Sequence, residues 1–429
     1  MRLRIKRQDF LRSWQIAEKV TNAKSTLEGV KAVLIKADED ENGNGTVTLE
    51  ATDMKSYVRC KAEGVTVVEP GTALANASIL GSMMRKYSTE ELELEFNSER
   101  GLFTSGTSKI RVAGIASSNF PGVPESQDAE MICEIMASDL ARIISEGSSA
   151  SSMPQDFPKY MGTCLLKTEE QALKVVSTDG KRLSRSRTFC TVMKDEDLLI
   201  AAPALKELGK TIASYGENVV SILAESAMIW FRLENVEFAI RRIESNFPNY
   251  ERILNDEKRT VMRVNCGELS AVLDRIDIIA KTTPAHIMAM AIQTNGQVRI
   301  TARAPDVGTA VENMHAEIEG SYIQLGFNVG YFQDGLKAMG AGEIVIEFSG
   351  EEEQARMYRD SSNDFLYMLM PARLSIQDAM TEEEIGDFSR NMEEPDDVSS
   401  ESEYQEPEQN YQSEPEQSEQ NNYGQENNY

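Results

Sequence analysis

The stretch SNFP occurs twice, at residues 118–121 and 245–248, a step of 127 positions. A second match keeps nearly the same step: Thr52-Asp53 in EATDMKS and Thr178-Asp179 in VSTDGKR lie 126 apart. A period this long rules out the short units of a solenoid, which run to roughly 20–50 residues and cannot bury a core alone. It points to duplicated domains, each large enough to enclose its own apolar centre. A chain of 429 residues has room for three.

The apolar spacing supports three units. RQDFLRSWQIAEKV, MASDLARIISEG and NCGELSAVLDRIDIIAK repeat apolar residues at helical intervals, with Phe10, Leu140 and Leu269 in corresponding positions. A second helix comes later in each unit: NASILGSMMRKYS, APALKELGKTIASYG and NVGYFQDGLKAMG, with Ile79, Leu205 and Phe332 in register. Asn76 or Ser78, Pro203 and Asn328 supply the entry signals. Between the helices lie alternating or β-branched runs: GTVTLEAT, ALKVVSTD, GQVRITAR, VVSILA, MIWFRLE and EIVIEFSG. DEDENGNG at residues 38–45 joins two of them as a hairpin. Each unit reads as strand, helix, strands, helix, strands, an α+β domain. The boundaries fall just after each SNFP, giving domains at residues 1–126, 127–254 and 255–375.

Residues 399–429 are almost entirely Glu, Gln, Asn, Ser and Pro with isolated tyrosines, and the whole of 376–429 is expected to stay disordered. This tail holds 17 acidic residues and one basic, Arg390, a formal −16 of the chain's −26. The rest carries 43 basic and 53 acidic residues, so charge alone does not suggest a nucleic-acid binder. The N-terminus has no apolar core of the secretory type, and five scattered cysteines without metal spacing suit a reducing cytoplasm.

A search for catalytic groups finds little. ELGKT at residues 207–211 resembles the end of a phosphate-binding loop, but the glycine required five residues before Gly209 is Ala204. His286 and His315, the two histidines, have no ligand or acid–base partner at a useful spacing. Glu91 and Glu93 alternate with leucines in ELELEF, as on the wet face of a strand. The pattern favours a binding protein without a cofactor over an enzyme.

Four stretches carry a family resemblance: STDGKRLSR (177–185), NFPNYERIL (246–254), FNVGYFQDGLKAM (327–339) and YMLMPARL (367–374). Together, in order and at domain spacing, they resemble the bacterial DNA polymerase III β subunit, the sliding clamp. The resemblance spans residues 1–375. It implies three tandem clamp domains, each of two helices packed on two antiparallel sheets, and a head-to-tail homodimeric ring. Helices line the hole and sheets form the outer wall. The implied partners are double-stranded DNA, held without sequence preference, the polymerase III catalytic subunit, the clamp loader, and other polymerases and repair proteins carrying short clamp-binding peptides. Any ATP is used by the separate loader. The alternative is a clamp-like interaction scaffold that encircles DNA weakly or not at all.

The resemblance also assigns residues. The second SNFP helps to build a peptide cleft between the second and third domains. Its walls are Tyr160, Met161, Thr178, Gly180, Lys181, Arg182 and Leu183, with Pro248, Arg252 and Ile253. The third domain and the last strand add Asn328, Tyr331, Met368, Met370, Pro371, Ala372, Arg373 and Leu374. Apolar walls with a few orienting polar groups suit a peptide bearing Leu or Phe anchors. Lys181 stands where the family commonly has His, and Ala372 where some members have a larger apolar residue. For DNA, Lys24 and Gln155 match positions that approach the duplex, and the helices add Arg85, Lys86, Lys210, Arg275 and Lys281. Arg12, Lys19, Arg142, Lys206 and Lys337 are weaker candidates of the same kind. At the ring seam, Lys109, Ile110 and Val112 on an edge strand would meet Ile278 and Ile279 on a helix, with Asp306 and Glu312 as acidic partners for Lys109. The tail begins beside the cleft and is expected to compete with partner peptides or repel DNA.

Overall fold

The computed structural model describes residues 1–39, 45–97, 100–153, 158–254 and 258–374. Residues 40–44 of the expected hairpin turn, Gln155 and the acidic tail lie outside the described residues. Six α-helices occur among those described: α1 (Arg7–Lys19), α2 (Ala77–Lys86), α3 (Ala137–Gly147), α4 (Ala202–Ile212), α5 (Cys266–Ala280) and α6 (Val329–Met339). Each falls within a segment that the apolar spacing marks. Asn76, Asn265 and Asn328 cap α2, α5 and α6 by accepting from backbone N–H groups of the first turn. Pro203 sits in the first turn of α4, where its missing N–H costs nothing.

One alignment is off by a residue. Leu205 and Phe332 are fully buried, but their expected counterpart Ile79 is 46 % exposed, and Leu80 takes the core position at 3 %. Asn76 sets the phase: as N-cap it stands 125 residues before the N-cap of α4, Ala201, not 126.

The sheets show the duplication most clearly. Six strands form the junctions and the free edges: β1 (Ser56–Lys61), β2 (Ser108–Ala113), β3 (Arg182–Phe189), β4 (Val236–Arg241), β5 (Gly308–His315) and β6 (Ser362–Leu369). Each repeat contributes one half-sheet of four strands, ending in β1, β3 or β5, and one of five, ending in β2, β4 or β6. β1 pairs with β4 antiparallel, Val58 opposite Phe238, fusing the first repeat's four strands and the second's five into one nine-stranded sheet. β3 pairs with β6 in the same way, Ser184 opposite Tyr367, making a second nine-stranded sheet from the second and third repeats. The five strands of the first repeat and the four of the third stay separate, with β2 and β5 at their edges.

Turn chemistry is duplicated atom for atom. The Asp53 carboxylate accepts from the N–H groups of Lys55 and Ser56, and Asp179 accepts from those of Lys181 and Arg182. Thr52 and Thr178 hydroxyls accept from the residue two positions on and donate to the carbonyl four positions on. The Arg241 N–H reaches the Lys55 carbonyl at 2.9 Å, and the Met370 N–H reaches that of Lys181 at 2.8 Å.

The first two repeats share a continuous apolar core containing Phe10, Trp14 and Phe231, while the third encloses its own around Phe327, Phe332 and Phe348. The helices pack in pairs α1/α2, α3/α4 and α5/α6. α3 touches α6, and Lys19 on α1 lies 3.8 Å from Glu207 on α4. They therefore form one row, in the order α2, α1, α4, α3, α6, α5.

Candidate functional site

The residues assigned to a peptide cleft come from five separate segments, and contacts tie these together at the β3/β6 junction. Gly180 adopts φ +84° in the turn before β3, and a Cβ there would stand 3.1 Å from the Met161 methyl. Leu183 and Met368 face each other across β3 and β6 and are buried with Tyr250, against Phe247 and Leu254. Tyr160 packs edge-on against Phe247, centroids 6.0 Å apart, next to Pro248. Ala372 bridges to Gly326, and Leu374 lies over the same glycine, while Asn328 caps α6 through the Tyr331 N–H at 3.0 Å. Met370 is 40 % exposed and Ile253 47 %, leaving two apolar side chains at the surface here. Lys181, Arg252 and Arg373 are exposed, and Pro371 is half-buried.

Arg182 organises the junction. It is buried, its guanidinium stacks 4.2 Å from the Tyr331 ring centroid, and it donates to Asp334 at 2.5 Å, Asp179 at 2.9 Å and Tyr367 Oη at 3.2 Å. Burial works against its charge, but Tyr367 and the two aspartates outweigh burial, and its pKa lies above the ordinary arginine value. Phe247, Asp334 and Tyr367 were not among the assigned residues. Phe247 was legible as the invariant centre of the repeated SNFP; the roles of Asp334 and Tyr367 depend on a contact across more than a hundred residues.

The helix row carries fewer free cations than its sequence suggests. Arg85 makes a bidentate pair with Glu18 at 2.8 and 3.1 Å. Lys210 lies 3.6 Å from Glu207, which also meets Lys19, and Lys281 lies 3.9 Å from Asp277. Arg12 pairs with Asp9, and Arg142 reaches Asp139, Glu146 and Asp364. Lys206 donates to the Ser151 hydroxyl at 2.9 Å, and burial lowers its pKa. Lys24, Lys86 and Lys337 are exposed.

Arg275 needs a correction of aim. Its Nε and Nη2 donate to Glu312 on β5 at 2.8 and 2.7 Å, which directs it to the sheet edge and occupies the carboxylate expected to meet Lys109. That hydrogen bond also holds Glu312 below the usual carboxylate pKa.

The two unpaired edges match in character. On β2, Ile110 and Val112 alternate with exposed Lys109 and Arg111. On β5, Val311 is 49 % exposed. α5 packs behind β5 and presents Ile278, 58 % exposed, while Ile279 leans on the third repeat's core.

Comparisons with known proteins agree with the threefold pattern. Models of the DNA polymerase III beta subunit match in order: its N-terminal domain at residues 1–124, central domain at 134–249 and C-terminal domain at 251–373. The beta sliding clamp of Staphylococcus epidermidis is 24 % identical over 380 residues, covering 87 % of this chain and 99 % of that protein. The DNA polymerase III subunit beta of Pseudomonas aeruginosa superposes with a TM-score of 0.80 at 22 % identity, over 87 % of this chain and all of that one. The sliding clamp of Bacillus subtilis gives 0.80 at 21 % identity over the same share.

Proposed function

Because the chain belongs to the DNA polymerase III beta subunit family across all three of that family's domains, we propose that it works as a sliding clamp, encircling duplex DNA and tethering the replicative polymerase for processive synthesis. The observation that carries the ring is the pair of unmatched half-sheets. Inside the chain, four strands and five strands join twice into nine. The first repeat's five and the third repeat's four are the two halves left over, and β2 and β5 are the strands whose counterparts make both internal junctions. Pairing β2 of one subunit with β5 of another repeats the same joint. It also covers the unpaired edges and the apolar side chains beside them. Such an interface is head-to-tail, so it closes only as a ring. Two subunits, six repeats, is the closure we assign.

On this reading the protein performs no reaction and uses no cofactor. DNA is retained by topology, and the few free lysines of the helix row make loose, sequence-independent phosphate contacts that permit sliding. Its place of work is the bacterial cytoplasm, on the nucleoid. The β3/β6 cleft is the proposed seat for short peptides of the polymerase III catalytic subunit, the clamp loader, and other polymerases and repair proteins. A scaffold without DNA encirclement is not favoured by a match over all three domains.

The test is loading onto nicked circular DNA with a clamp loader, then gel filtration before and after the circle is cut. Co-elution with the circle and release on linearisation is the expected result. Failure to stay on the circle while a dimer still forms would overturn encirclement.

A further inference from the structure

The β1/β4 junction holds a cavity of about 660 Å³ that the β3/β6 junction lacks the residues to form, and the internal repeat explains why. By the shared turn and strand registers, Ser56 occupies the place of Arg182, Ala204 that of Tyr331, Phe238 that of Tyr367 and Glu207 that of Asp334. At the second junction Arg182 and Tyr331 stack and Tyr367 binds both. At the first, the arginine and one tyrosine are replaced by small side chains, and the other tyrosine loses its hydroxyl. What remains is an open, apolar-floored cleft over Tyr57, Phe238, Ile240 and Leu208, all buried.

We propose that this cleft is a second peptide-docking site, taking an aromatic anchor flanked by acidic residues from a partner protein. The volume lies within the range of small-ligand and side-chain pockets, about 300–1,000 Å³. The occupant's charge is set by the walls: Lys55, Lys159 and Arg241 line it against Asp53, while Lys19 and Arg242 are paired with Glu207 and Glu196. Lys55 and Lys159 are exposed, and the Arg241 side chain donates to the Met54 carbonyl and, at 3.4 Å, to the Tyr57 hydroxyl, both neutral acceptors. An anchor ring would fill the space that Tyr331 fills in the other junction, with acidic neighbours over the lysines. The inference goes beyond the clamp reading and does not depend on DNA encirclement.

The experiment uses the full chain and a hexapeptide, DELFEE, with benzophenylalanine in place of Phe, photo-crosslinked and mapped by peptide mass. Crosslinks on α4 are expected, reduced at least tenfold by Ala204→Tyr, which rebuilds the ring of the second junction, while crosslinks beside Met370 persist. Lys55→Glu with Lys159→Glu, two surface changes, should give a similar loss without altering the fold, as checked by thermal melting. If no crosslink forms on α4, in the full chain or after removal of residues 375–429, and all lie beside Met370, the second site is overturned and the clamp reading stands. Crosslinks on α4 that appear only after removal of residues 375–429 would make the chain's own tail the occupant, and overturn the assignment to a partner.

Discussion

Met54 and Gly180 hold the same place in duplicated turns, at φ +75° and +84°. Only the second uses the residue that adopts this region freely. A side chain with positive φ carries about 1–2 kcal/mol of strain, and glycine returns part of any gain through its looser unfolded state. Met54→Gly should therefore raise stability by about 0.5–1 kcal/mol, read as a higher urea midpoint at unchanged slope. Gly180→Ala should lower it by about 1–2 kcal/mol, since it adds both strain and a tight contact with the Met161 methyl. It should also weaken peptide binding at β3/β6 more than its stability cost alone explains. An equal effect of the two substitutions would show that the turns are not equivalent.

Among elements, the second junction is held by charge as well as by strand pairing. Asp364 on β6 accepts from Arg142 on α3 at 3.1 Å and from Arg359 at 3.3 Å. Burial raises its pKa, but the Ser362 hydroxyl and the two arginines outweigh burial, so the folded value lies below the ordinary 3.8. A depressed carboxylate pKa gives stability that is present above 3.8 and lost as the pH falls through the folded value. Asp364→Asn should lose ~1 kcal/mol or less near neutral pH, because the group is partly solvated. It should flatten the acid limb of a stability profile below about pH 4; an unchanged limb would place the acid sensitivity elsewhere. The helices were legible here because one apolar stripe and one cap define each. The slip from Ile79 to Leu80 shows what a stripe leaves open: neighbouring apolar residues compete, and the cap decides the phase. The Asp364 cluster was not legible, because Arg142 of the second repeat meets it only after two repeats have docked.

For the whole molecule, the threefold build could be read from two short matches at domain-length spacing, and the sheet halves then arise from repetition. What repetition hides is divergence. The cations proposed to face DNA looked more numerous in the sequence because their acidic neighbours, Glu18, Glu207, Asp277 and Glu312, come from other turns and other elements. We therefore expect Lys24→Ala and Lys86→Ala each to reduce the salt slope of linear-duplex binding by roughly one unit, while Arg85→Ala changes it little. Retention on a closed circle should survive salt that abolishes binding to linear DNA. A circle-bound complex that dissociates at the same salt as the linear one would contradict topological holding.

The leftover half-sheets have a kinetic consequence. The two joints inside a chain have partners tethered at high effective concentration, so they re-form however dilute the protein is. In the proposed ring, the β2/β5 joint has the same strand chemistry but no tether, and it alone obeys mass action. A closed ring of this design thus needs no specialised latch. Four of its six joints are insensitive to dilution, and any opening force finds the same two.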